Sequence, residues 1–178
     1  MKIISKPCGD YQTNCYVISK NGREIIIDPG QNSFDFVIKN SHAPLTILNT
    51  HGHFDHILDD VSLKNFFNIS VYIHNNDNFM LQSDIWDIGQ QTMSDAICVG
   101  GAKFEDVKFT IEDFEIEFMH FPGHTSGCCL YLHRFTCPQH TQNKAKNNSP
   151  PKVSHDTAER SEERRVGKEC RSRWSPYH

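Results

Sequence analysis

The sequence predicts a mixed α/β fold carried by residues 1–133 and followed by a disordered tail. Three observations support this. Two β-branched runs, "EIIID" at 24–28 and "LTILNT" at 45–50, each end in a polar turn, as buried strands do. Between Leu45 and His74 the pattern reads strand, helix, strand, the order of α/β folds. Beyond His133 apolar periodicity stops, and nine hydrophobic residues among the last 45 are too few to build a core.

The first run closes with "PGQN", and the second delivers the chain straight into His51. Both therefore place a polar loop at the carboxyl end of a strand, where open α/β sheets put their sites. Asp59 and Asp60 are placed to cap a helix through "VSLKNFF". "ISVYIH" then alternates, with Ile69, Val71 and Ile73 on one face. The stretch "NNDNFMLQSDIWDIGQQ" at 75–91 predicts an amphipathic helix whose core members are Phe79, Met80, Ile85, Trp86 and Ile88. "KFT" at 108–110 and "FEIEFMHF" at 114–121 predict short strands, the second with Phe114, Ile116, Phe118 and His120 on one face. "PGHTSG" breaks the chain at 122–127, and "CCLYL" resumes a strand at 128–132.

The net charge of -4 over 178 residues conceals two unlike segments. Residues 1–133 hold 8 Lys+Arg against 17 Asp+Glu, and the remainder 10 against 5. The acidic balance of the first segment argues against a nucleic-acid partner. Its opening, "MKIISKPCGDYQ", has an apolar stretch of only two residues, so neither an export signal nor a membrane anchor is expected there. Seven cysteines, with no C-x-x-C pair, fit a reducing compartment rather than a disulfide framework. The expected location is the cytoplasm.

The chemistry concentrates in "HGHFDH", where His51, His53, Asp55 and His56 fall within six residues. Zinc binds imidazole nitrogen and carboxylate oxygen at roughly 2.0–2.2 Å, so its ligands must converge from a rigid scaffold. Residues i and i+2 of an extended loop point the same way. His51 and His53 can thus grip one ion, while the adjacent Asp55 and His56 diverge towards a second. His124, on the turn between two strands, can complete the first ion's set as a third imidazole. Three protein ligands with a position left for water describe a catalytic rather than a structural site. His120 reads as a hydrogen-bonded core or near-site residue, and His42, His74 and His133 as loop or strand-end residues.

"THGHFDH" at 50–56, "PGHTSG" at 122–127 and "IIIDPG" at 25–30 together resemble the metallo-β-lactamase superfamily, and within it the small glyoxalase II-like thiolester hydrolases. The resemblance covers Met1 to about Leu132. It implies an αβ/βα sandwich, of which this chain carries the N-terminal part, and two zinc ions in the full-length form, with iron or manganese as alternatives. His51, His53 and His124 would hold one ion, and Asp55 and His56 the other. Asp28 would orient the ligand loop, and Asp55 would position the attacking water. The implied reaction is hydrolysis of a small-molecule thiolester, with no membrane or nucleic-acid partner.

The superfamily pattern also expects a Gly-Asp turn about ten residues beyond the "CCLYL" strand, and later one more His. Neither follows here. Residues 134–159 carry no assignable element, and Arg160 to His178, "RSEERRVGKECRSRWSPYH", resembles the translation of a sequencing-library adapter whose frame begins Arg-Ser-Glu-Glu. Two other functions stay open. The chain as written is an inactive, truncated metal-binding fragment, or the protein is an iron-dependent, persulfide dioxygenase-like enzyme, a class that uses two His and one carboxylate.

Overall fold

A computed structural model of the protein describes residues 1–101 and 106–133 and the short strand Arg165–Val166. β1 (Lys2–Cys8), β2 (Thr13–Lys20) and β3 (Arg23–Ile27) run as an antiparallel meander. From β3 onward the pairing turns parallel, adding β4 (Pro44–Leu48), β5 (Ser70–His74) and β6 (Ile97–Val99). Parallel neighbours need crossover connections. α1 (Phe34–Asn40) supplies one, and α2 (Phe54–Ile57) with α3 (Asp60–Phe67) the next. α3 stops at Asn68, whose φ of 55° lets its N–H close on the Lys64 carbonyl, a left-handed cap that Asn tolerates.

A second sheet lies over the first. β7 (Asp106–Ile111), β8 (Phe114–His120) and β9 (Cys129–His133) pair antiparallel, and Arg165–Val166 adds β10 on the open edge of β9. The first sheet is buried on both faces. Val17, Ile26, Ile47, Val71 and Ile73 pack against Val37, Ile57 and Leu63 of the helices. Ile18, Ile25, Ile27 and Leu48 pack against Phe114, Ile116, Phe118 and Tyr131 of the second sheet. Double burial is why Ile25–Ile27 reads as an unbroken apolar run, whereas β8 alternates. Each such side chain contributes roughly 1.5–3 kcal/mol. The described residues thus form a helix layer and two stacked sheets. Among them no helix is long and apolar enough to cross a membrane.

Several expectations change. The helix predicted across 75–91 shrinks to a 3-10 turn at Asn75–Asp77 and the four-residue α4 (Phe79–Gln82). Asp84 is the reason, since its carboxylate accepts the backbone N–H groups of Ile88, Gly89 and Gln90 and offers the chain an alternative to helix. Phe79, Ile85 and Ile88 are consequently exposed rather than core, while Met80 is buried. Asp59 stands at the N-cap position of α3 as expected, but its carboxylate turns to the start of α1, accepting from the Ser33 and Phe34 N–H groups, and Asp60 is buried against Asn49. Of the tail expected to be disordered, Arg165–Val166 are paired, because an edge strand presents unsatisfied backbone groups. The rest of the tail, residues 134–164 and 167–178, lies outside the described residues.

Candidate metal centre

The site grows from two neighbouring strand ends. β3 and β4 are parallel with Ile27 opposite Leu48, so Asp28 and the Asn49–His51 segment emerge side by side. Asp28 turns there with φ 48°, a conformation its short polar side chain tolerates. Its Oδ1 accepts the Thr50 N–H at 2.7 Å and its Oδ2 the Thr50 hydroxyl at 2.7 Å.

That hydroxyl has one proton, and Asp28 takes it. The Thr50 oxygen, 3.1 Å from His51 Nδ1, must therefore accept from the ring, which assigns the proton to Nδ1 and leaves a lone pair on Nε2. Nε2 is buried with no hydrogen-bond partner. An unsatisfied buried polar atom costs roughly 1–3 kcal/mol, so a ligand is the expected occupant of that direction.

His53 and His124 supply company. The ring centroids of His51, His53 and His124 lie 4.4–5.0 Å apart, and one ligand nitrogen from each falls within 4.8 Å of the others. Burial, reinforced by the His56, His53 and His124 rings, pushes the His51 pKa down to about 2. Burial and then His124 also lower the His53 pKa, with Asp55 opposing. Neutral imidazole is the form that binds metal, so the triad fits a divalent ion.

Asp55 and His56 sit on α2, which starts immediately after His53. Asp55 Oδ2 accepts the Thr13 hydroxyl at 2.6 Å and lies 3.6 Å from His56 Nε2. His56 Nδ1 lies 3.0 Å from Asp28 Oδ2, and its ring is 4.0 Å from that of His51. Burial lowers the His56 pKa, but Asp28 and then Asp55 outweigh it and the net shift is upward. Among the described residues the cluster of three metal-ligating side chains is the His51, His53, His124 triad. Asp55 and His56 stand beside it as a pair.

A family model of the metallo-beta-lactamase superfamily matches residues 8–134. The chain belongs to the metallo-beta-lactamase superfamily. Among its superfamily relatives, the probable metallo-hydrolase YqgX of Bacillus subtilis is 31% identical over 144 residues, covering 74% of this chain and 65% of that protein. The hydroxyacylglutathione hydrolase GloC of Haemophilus influenzae is 28% identical over 139 residues, covering 71% and 64%. The crystal structure of the BLEG-1 B3 metallo-beta-lactamase superposes with a TM-score of 0.65 at 27% identity, covering 74% of this chain and 67% of that one. The matched region thus spans about 65% of the length of the curated relatives.

This superfamily member also contains site residues that the sequence did not reveal. Thr50 stands in the motif itself, and its role as relay between Asp28 and His51 is readable only once the strand ends are adjacent. Thr13, on β2, has no local signal. Tyr11, Phe54 and Trp86 form a run of edge-to-face rings, with centroids 5.2 and 5.3 Å apart, that reaches the His53 ring at 6.0 Å. Tyr11 is exposed at the outer end. His120 lies near the site, with Nε2 2.9 Å from the Ser126 carbonyl and its ring stacked on the buried His74.

Proposed function

We propose that the protein in its complete form is a zinc-dependent thiolester hydrolase of glyoxalase II type. The observation that carries the reading is the convergence of the His51, His53 and His124 imidazoles around the unpartnered His51 Nε2, set beside the Asp55 and His56 pair. Similarity to a hydroxyacylglutathione hydrolase and to a probable metallo-hydrolase supports the thiolester and hydrolase parts.

His51, His53 and His124 would hold one ion, and Asp55 and His56 would contribute to a second. When bound, the metal supplies Lewis acidity and lowers the pKa of water to about 7. The chain's own residues do the rest. Asp28 and Thr50 keep the His51 proton on Nδ1 and so keep Nε2 available. Thr13 occupies one lone pair of Asp55 Oδ2, which fixes the carboxylate; Asp55 then orients the attacking water and accepts its proton. The Tyr11, Phe54 and Trp86 rings stand in a row beside His53, and in this reading they would border the acyl group.

The test is metal analysis of the purified protein followed by assay of S-lactoylglutathione and related thiolesters. Zinc with thiolester cleavage is expected, lost on chelation and restored by zinc. Iron together with oxygen uptake on a persulfide would replace this reading with the dioxygenase one. Absence of turnover by zinc-loaded protein would leave a metal-binding fragment. Amplifying the source locus downstream of the Leu132 codon tests the adapter reading of residues 160–178. Continuation into a Gly-Asp turn and a later His would complete the second ion's ligands.

A further inference from the structure

The triad joins two loops from different sheets. His51 and His53 follow β4 of the first sheet, and His124 precedes β9 of the second. Their mutual spacing therefore depends on what holds the sheets' ends together: the Cys129 N–H donates to the Thr50 carbonyl at 2.8 Å, and the Asp77 side chain bonds to both ligand loops. Asp77, fully buried at the end of the 3-10 turn after β5, accepts the Gly52 N–H through Oδ2 at 3.1 Å. The same oxygen accepts the Thr125 hydroxyl at 2.5 Å, and Oδ1 accepts the Gly127 N–H at 2.7 Å. Gly52 lies between the two histidines of one loop, and Thr125 directly follows the histidine of the other. The fit leaves no slack, since a Cβ on Gly127 would lie 2.5 Å from Asp77 Cγ.

We propose that Asp77 is the positioning residue that sets the separation of His124 from His51 and His53, and through it the metal affinity of the triad. The proposal rests on the metal-centre reading above. All donors converge on acceptor oxygens only, so an amide cannot replace the carboxylate without turning an N–H group against one of them. Residues that orient metal ligands from behind typically cost 10–100-fold in affinity when changed.

The experiment compares the full chain with its Asp77→Asn and Thr125→Val variants. Zinc affinity is measured by competition with a chromophoric chelator, cobalt(II) visible absorption reports ligand geometry, and thermal melting of metal-free protein reports folding. Asp77→Asn should lose about 10–100-fold in zinc affinity and shift the cobalt bands. Thr125→Val, which removes one bond of the set, should move both readouts the same way but less. It decides the matter if Asp77→Asn does not fold. Variants that melt lower yet keep the parental affinity and cobalt spectrum would assign Asp77 a purely structural part and overturn the proposal. A parent chain with no measurable zinc affinity would overturn the metal-centre reading itself, a distinguishable result.

Discussion

The carboxylate of Asp28 lies 3.0 Å from the imidazole of His56. The oxygen that makes this contact also accepts the Thr50 hydroxyl, whose own oxygen faces His51. One strand-end carboxylate thus orients His56 directly and His51 through a relay, which couples the triad to the neighbouring pair. A carboxylate behind an imidazole fixes its tautomer and raises its basicity as a ligand.

Asp28→Asn should accordingly weaken zinc binding by about 10–100-fold. The amide would present N–H to Thr50 or to His56, and neither position tolerates a second donor. Isothermal titration of metal-free protein measures this, and an unchanged affinity would remove Asp28 from the site.

Gly30→Ala should unfold or displace α2. A Cβ at this position would stand 1.6 Å from the Asp55 carbonyl oxygen and 2.6 Å from its carbon, both backbone atoms that cannot swing aside. Overpacking of this kind costs about 3 kcal/mol or more. Urea denaturation is the check, and a loss below about 0.5 kcal/mol would mean that the loop adapts, since surface-like tolerance is of that size.

Asp60 makes stability depend on pH. Burial drives its carboxyl pKa well above the ordinary range, the Asn49 hydrogen bond opposes this, and the charges of Asp28 and Asp59 add to the rise. Asn49 Oδ1 and Asp60 Oδ1 both lack a partner, and a protonated carboxyl brings the donor this buried pair needs. A raised folded-state pKa contributes stability that is complete below the unfolded value of about 3.9 and is lost as pH rises through the folded value. Asp60→Asn keeps the shape without the charge. Its melting temperature should gain on the parent's as pH rises from about 4 towards neutrality, and a constant difference across that window would show that Asp60 does not titrate there.

Trp86→Ala tests the aromatic wall. If the wall receives the acyl group, KM for thiolesters with apolar acyl chains should rise on the order of 10-fold while that for the lactoyl thiolester changes little, since apolar pocket contacts discriminate by about 1–3 kcal/mol. Equal effects on both would place Trp86 in packing alone. Trp86 also leans on the core, so some fall in melting temperature is expected either way.

The elements most legible in the sequence were those whose burial imprints a period. Ile25–Ile27 announced a strand covered on both faces, Phe114–His120 a strand covered on one, and "HGHFDH" a strand-end loop that gathers His51, His53 and His56 close together. The region after β5 misled, since the apolar spacing of residues 79–88 suits a helix until Asp84 captures the backbone N–H groups. Local propensity carries no trace of such a competing bond.

The sequence by itself determined at which strand ends the histidine and aspartate side chains emerge, because strand period and turn chemistry are local. Only the tertiary structure decided that Asp28 reaches both His51 and His56, that Thr13 meets Asp55 from 42 residues away, and that Asp77 joins loops from two sheets. Those are polar contacts between groups distant in the chain. Their partners are chosen by sheet stacking and by the desolvation that makes an unpaired buried carboxylate too costly to keep.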